Sequence, residues 1–210
     1  MNLGELQREF NAIVQDASSE IVASTIDYIN EAIQQIAEEI RFPELKQVTS
    51  ITVSPYNYYV NLPVSFSGRL KYAGNSSGSY KILEGGIEEL ISLYPSLAEQ
   101  GDIAHVAMEG NLFYYHPIPS AAVTVTCIGY LVPNLLVNDL DTPSFIPEYL
   151  HRETIVNKAA MIAYNIIEDG LVGDKVNTGV LAALAEGGMN KLRAYVSRRR
   201  QVVGQSKWSC

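Results

Sequence analysis

The sequence predicts an α+β protein: a helical bundle built from both ends of the chain, an inserted and mostly antiparallel β domain, and an extended C-terminal tail. Three observations predict it. Apolar residues recur at helical spacing in the first 45 residues and again from residue 146 onward. Between Gln47 and Pro133 the pattern changes to alternation, tyrosines and turn residues. No internal repeat or low-complexity linker separates these regions, so each helical group must find cover in the other. The expected division is 1–45 and 146–200 for the bundle, 46–145 for the inserted domain, and 201–210 for the tail.

Taken in order, Leu3, Leu6, Phe10, Ile13 and Val14 mark a first helix, broken near Asp16–Ser19, where Ser18 or Ser19 can cap the next one. Val22, Ile26, Ile29, Ile33, Ile36 and Ile40 alternate steps of four and three, the seam of a helix lying lengthwise on another. So many isoleucines in a helix mean that packing outweighs propensity. Phe42-Pro43 ends the segment, because a residue before proline resists helical geometry.

Ser50–Ser54 and Tyr56–Pro63 read as two strands joined by a Pro-Tyr-Asn turn, and Arg69–Tyr72 as a third. Ala73–Ser79 is made of turn residues and reads as a loop. Tyr80–Leu83 is a short strand, and Ile87–Tyr94 a short helix stopped before Pro95. Ala104–Met108 and Leu112–His116 flank Glu109-Gly110-Asn111 as a hairpin. Val123–Leu131 is the best strand, with Val123, Val125, Cys127 and Gly129 on one face. Asn134–Ser144 is a connecting loop.

Ile146–Gly170 is the organising helix. Pro147 suits a first turn, and Ile155, Val156, Ala159, Ile162, Ala163, Ile166 and Ile167 form its stripe. Arg152, Glu153, Lys158 and Glu168 are expected to point away, and Asp169-Gly170 to stop it. Its partners are expected in the isoleucine seam and in a last helix over about Thr178–Arg198. There Leu181, Leu184, Gly188, Leu192, Tyr195 and Val196 line one side. Gly187-Gly188 implies either a tight crossing or a break. Gln201–Cys210 has no periodicity.

Composition narrows the function. Apolar content of 47% and charged content of 18% describe a globular chain. The net charge of −8 does not attract nucleic acid as a whole. No apolar run is long enough to span a bilayer, and MNLGELQREF lacks the features of a secretory signal. Two cysteines, Cys127 and Cys210, make no disulfide framework, and a reducing compartment fits.

Chemistry is sparse. His105 and His116 lie on adjoining strands and could face each other, with Glu109 as a further acid–base group, which is the enzyme reading. No cysteine or acidic residue stands at matching ligand spacing, so no metal site is assigned. Asn138–Thr142 resembles part of a calcium loop but lacks its distal glutamate, and side-chain turn formation explains it. His151 with Glu148 and Arg152 reads as local polar packing. Gly173-Asp174-Lys175 belongs to an acidic loop between helices. No phosphate-binding glycine loop or nucleophile elbow is present. No catalytic residue and no cofactor is therefore assigned.

Interaction surfaces are better supported. Thirteen tyrosines against five phenylalanines suit surfaces that are partly buried and partly wet. Tyr58, Tyr59, Tyr114 and Tyr115 are the interface candidates. Arg193, Arg198, Arg199, Arg200 and Lys207, beside Trp208, form the one basic cluster. It can dock on an acidic partner, and a DNA-contacting packaging role through Arg198–Arg200 is the remaining alternative.

The layout as a whole resembles a known family. FPEL (Phe42–Leu45) closes the isoleucine helices, and YVNLP (Tyr59–Pro63) ends the tyrosine-rich strands. GRLKY (Gly68–Tyr72), MEGNLFYYHPIP (Met108–Pro119) and PSFIPEYLHRETIVNKAA (Pro143–Ala160) follow. In this order they resemble the head–tail adaptor (connector) proteins of short-tailed bacteriophages. The resemblance implies a non-enzymatic virion protein at the head–tail junction, assembled in the host cytoplasm. It implies a homo-oligomeric ring of typically twelve copies under the portal protein, with downstream tail (nozzle) proteins below. Double-stranded DNA would pass through the lumen without specific binding, and no membrane is involved. It places portal docking on the tail, at Gln201, Val202, Val203, Lys207 and Trp208.

Overall fold

Asn2 starts the first helix. Its side-chain oxygen accepts the Glu5 N–H, and the Glu5 carboxylate accepts the Asn2 N–H, both at 2.9 Å. This reciprocal cap satisfies two of the donors a helix start leaves orphaned. The computed structural model describes residues 1–14, 19–63, 66, 70–168 and 176–204. Ser18, Arg69, the Asp169-Gly170 stop, the Gly173–Lys175 loop and residues 205–210, with Lys207 and Trp208, lie outside the described residues.

The fold is α+β, and the chain divides into two compact units, residues 1–44 with 133–210, and residues 45–132. The first unit holds α1 (Leu3–Ile13), α2 (Ser19–Ala23) and α3 (Thr25–Glu39). The second holds β1 (Lys46–Val53), β2 (Tyr59–Asn61), β3 (Tyr72–Asn75), β4 (Gly78–Ser79) and β5 (Lys81–Leu83). α4 (Gly86–Leu93), β6 (His105–Glu109), β7 (Leu112–His116) and β8 (Val123–Tyr130) complete it. α5 (Asn157–Ile167) and α6 (Val176–Gly204) return to the first.

In the helical unit Ile29, Ile33, Ile36 and Ile40 are buried, as a lengthwise seam requires. Val22 is exposed, because the helix breaks at Ser24 and the seam begins only with α3. The organising segment is not one uniform helix. A single 3-10 turn (Glu148–Leu150) and a π turn (Arg152–Val156) precede α5. A π turn adds a residue to the repeat and rotates everything after it. The stripe is buried only over its first part. Ile155, Val156, Ala159 and Ala163 are buried, but Ile166 is exposed.

Two charges expected outside are inside. Lys158 is buried and pairs with Glu39 of α3. Glu168 is buried and accepts the Asn177 and Thr178 N–H groups, each at 3.1 Å, and the Thr178 hydroxyl at 2.7 Å. Those hydrogen bonds, the hydroxyl's first, hold its carboxyl below the usual range. Glu168 thus satisfies the free amides at the start of α6.

α5 packs on α6, α3 and α1, and α6 packs on the π turn. A Cβ built on Gly188 would fall 2.7 Å from the Glu153 carbonyl carbon, while one on Gly187 would meet nothing within 4 Å. The double glycine is a tight crossing at Gly188 alone, and the helix runs through unbroken. It also continues to Gly204, so residues 201–204 are helical and not extended. Gln201, Val202 and Val203 carry no helix-breaking chemistry, and Gly204 is the natural stop.

Residues 133–145, placed by sequence in the inserted part, lie with the helices. Asn30 of α3 holds Leu136 from both sides, donating to its carbonyl at 3.0 Å and accepting its N–H at 2.8 Å. The carbonyls of Asp141 and Asp139 accept the Leu3 and Gly4 N–H groups. Asp141 in turn accepts the Val137 and Asn138 N–H groups at 2.8 Å, which holds its carboxyl below the usual range. The loop that resembled a calcium site is a turn clamped onto a helix start.

The second unit contains two four-stranded sheets, ordered β1-β8-β3-β4 and β2-β7-β6-β5. All pairs are antiparallel except β5 with β6. β1 and β2 do not form the hairpin their short connection suggests: β1 pairs with β8 from Lys46↔Tyr130 to Val53↔Val123, and β2 pairs with β7. The unit's first and last strands therefore lie side by side, which is the geometry an insertion needs. The glycine- and serine-rich stretch after Tyr72 is a tight hairpin of β3 and β4 rather than a loop. Val125, Cys127 and Gly129 of β8 face a core with Val106, Phe113 and Tyr115. Burial pushes the Cys127 thiol up to about 12.

Candidate assembly surfaces

Tyr114 and Tyr115 are neighbours on a strand, so their side chains must leave opposite faces. Tyr115 goes inward with Phe113. It is fully buried, and its hydroxyl donates to the Ser54 carbonyl at 3.0 Å and accepts the Ser54 N–H at 3.2 Å. Tyr115 is therefore a core residue, not the interface residue its neighbours suggested. Tyr114 goes outward, directly across from Tyr59 in the β2–β7 register. Tyr58 stacks near it with centroids at 6.3 Å, and Tyr59 lies 5.3 Å from Tyr58 and 6.2 Å from Tyr114. Desolvation, then Glu109 and the two neighbouring phenols, raise the Tyr114 hydroxyl above its ordinary range. α4 covers β6 on this side of the sheet. The three rings form an aromatic patch, with Tyr58 and Tyr59 exposed.

His105 and His116 do face each other across the β6–β7 register. Tyr94, capping the C-terminal end of α4, engages both. Its hydroxyl lies 2.8 Å from His105 Nδ1, and its ring stacks on His116 at 4.1 Å. Burial, then Lys81 and His116, lower the His105 pKa. His116 is fully buried with neither ring nitrogen hydrogen-bonded, and Glu99 approaches its Nε2 only to 4.0 Å. Glu109 stands at the far end of the hairpin, opposite Leu112. Four residues of strand separate it from His105, about 13 Å. The nearby cleft of about 270 Å³ is lined by Tyr80, Asp102 and Val123 and includes neither histidine nor Glu109. Among the described residues, no three histidine, cysteine or acidic side chains are placed to hold a metal ion.

Two members of the basic cluster, Arg193 and Arg199, are matched within their own unit. Arg193 reaches Glu186 at 2.6 Å and Glu39 at 3.2 Å. Arg199 pairs with Glu44, and its guanidinium sits 5.5 Å from the Tyr195 ring centre. Lys191 meets Glu153 at 2.6 Å. Arg198 is exposed. The side chains of Arg200, Gln201, Val202 and Val203 lie outside the description, as do Lys207 and Trp208. No helix among the described residues is long and apolar enough to cross a membrane.

Sequence periodicity missed one surface. Leu184 was expected on the buried side of α6, but that side is Leu181, Ala185, Met189, Leu192 and Val196. Val176, Val180 and Leu184 are exposed together. Their exact spacing of four residues, with Gly179 and Ala183 beside them, was the available signal. Among models of protein families, the one described as SU10 adaptor protein matches residues 1–206. No curated protein matches the chain.

Proposed function

The chain belongs to the SU10 adaptor protein family, and on that premise we propose that it is a bacteriophage structural protein that forms a ring beneath the portal and joins it to the tail. The observation that carries the reading is the family match, which extends over residues 1–206 and so takes in both units and α6. Three features support it. The exposed Tyr58–Tyr59–Tyr114 patch offers amphipathic rings of the kind found at protein contacts. α6 carries the chain past Val196, the last buried residue among those whose side chains are described, toward a C-terminal segment. The net charge of −8 suits a channel wall that must not bind its DNA.

In this reading the segment 201–210 docks on the portal, the tyrosine patch meets neighbouring subunits or tail proteins, and DNA passes without specific contact. The particle's head–tail junction is its location, and assembly takes place in the host cytoplasm. Negative-stain microscopy of the full chain, alone and with purified portal, tests it. A closed ring under the portal is expected, and a chain ended after Arg200 loses it. Failure of the full chain to bind portal at micromolar concentration overturns the reading.

A further inference from the structure

α6 and the loop before Asp141 present two apolar patches that nothing among the described residues of the helical unit covers. On α6, Val176, Val180 and Leu184 are 62%, 56% and 53% exposed. No charged residue occurs from Val176 to Ala185. Gly179 and Gly187 flank this ridge with open space, since a Cβ on either would meet nothing within 4 Å. The stripe is thus a ridge with a shallow track beside it.

The loop offers knobs that can enter such a track. Leu136 turns inward and is held by Asn30, which turns its neighbours outward. Leu135, Val137 and Leu140 are 56%, 69% and 82% exposed. They are not free to fold away. The Asp141 carboxylate holds the Val137 and Asn138 amides, and the start of α1 holds the Asp139 and Asp141 carbonyls. A backbone so fixed presents these side chains as projecting knobs, with little main-chain entropy left to lose on binding.

We propose that the loop of one copy seats on the α6 stripe of the next, in a head-to-tail contact between identical chains. The proposal rests on the ring-forming reading above and assigns the surfaces that close the ring. Area supports it. The exposed fractions leave roughly 300 Å² of apolar surface on the stripe and roughly 400 Å² on the loop, each in the range of a typical monomer's largest patch. Joined, they supply most of the roughly 900 Å² of apolar area in a standard interface of about 1,600 Å². Charge supports it too. Copies of a chain at −8 repel over most of their surface, and on the α6 stripe, which has no charge from Val176 to Ala185, the loop with its Asp139 and Asp141 meets no opposing carboxylate. Two unlike patches on one chain make a heterologous contact, which repeats around a ring, whereas a self-matching patch stops at a dimer.

Site-directed cross-linking tests the contact. In the full chain with Cys210→Ser, Cys127 being buried, Val180→Cys and Leu140→Cys are combined and oxidised with and without portal. A ladder of covalent multimers that requires both cysteines is expected. V180D with L184D is expected to abolish rings in microscopy while leaving the melting temperature of the free chain unchanged. Rings without a ladder, undiminished by the aspartates, overturn these surfaces and leave the ring reading standing. A ladder in the free chain without portal binding does the reverse. A dimer from Val180→Cys alone means that α6 meets α6, and it overturns the head-to-tail contact. Absence of both ring and ladder sinks both.

Discussion

Replacing Gly187 and Gly188 singly by alanine gives opposite results from adjacent positions of one helix. Either change removes the glycine penalty, worth about 0.5–1 kcal/mol in a helix interior. At Gly187 nothing opposes that gain, because the new Cβ meets open space. At Gly188 the Cβ lands 2.7 Å from the Glu153 carbonyl carbon and 3.1 Å from the Glu153 Cβ, against ordinary contact from 3.4 Å. The Glu153 carbonyl oxygen is nearer still, so α6 and the π turn must separate by roughly 1 Å at a place where Thr154, Ile155 and Val156 are buried. Such overpacking costs about 1–3 kcal/mol. The two variants should therefore differ by roughly 2 kcal/mol, or about 4–8 °C in melting temperature for a chain of this size. Thermal melts of the free chain followed by circular dichroism measure it. Gly187→Ala should melt above the parent and Gly188→Ala below it. If Gly188→Ala is as stable as Gly187→Ala, the close crossing of α6 over Glu153 is wrong.

Three further outcomes follow from particular contacts. Glu39→Ala leaves the buried Lys158 ammonium without its carboxylate and should cost about 2 kcal/mol in urea unfolding, after discount for the partly exposed Glu39; Lys158→Met should stay within about 1 kcal/mol of the parent, and equal losses would contradict this. Burial lowers the His151 pKa below its ordinary 6.5, outweighing the Ile146 and Met1 carbonyls against its ring. The folded state therefore favours the neutral ring. Its contribution to stability is complete above pH 6.5 and is lost as pH falls through the lower folded-state value, so the drop in melting temperature from pH 7 to 5 should shrink in His151→Gln. Tyr115→Phe should cost about 1–2 kcal/mol by orphaning the Ser54 amide and carbonyl, while Tyr59→Phe should change stability by less than about 0.5 kcal/mol; the reverse order would place Tyr115 outside the core.

Much of the helical and strand content was legible because it follows from local periodicity. The α3 seam, the β6–β7 hairpin and the inward face of β8 could be read from apolar spacing alone. Of the candidate surfaces, the outward placement of Tyr58, Tyr59 and Tyr114 came from composition, but Tyr115 was wrongly grouped with them. A run of tyrosines does not say which member of an adjacent pair turns in until strand pairing sets the face.

The amino-acid order by itself determined the fold class, the helical ends around a β-rich middle, and the family likeness, since these depend on the sequence of local patterns. Tertiary structure decided the rest. The π turn at Arg152–Val156 packs on α6 and α3. The crossing at Gly188 chose which side of α6 is buried and left Val176, Val180 and Leu184 bare. Glu39, Glu44 and Glu186 took up Arg193 and Arg199 of α6. Each of these is a contact between residues whose meeting depends on helix phase and crossing angle, and small changes in either, invisible in a periodic pattern, move a side chain from core to surface.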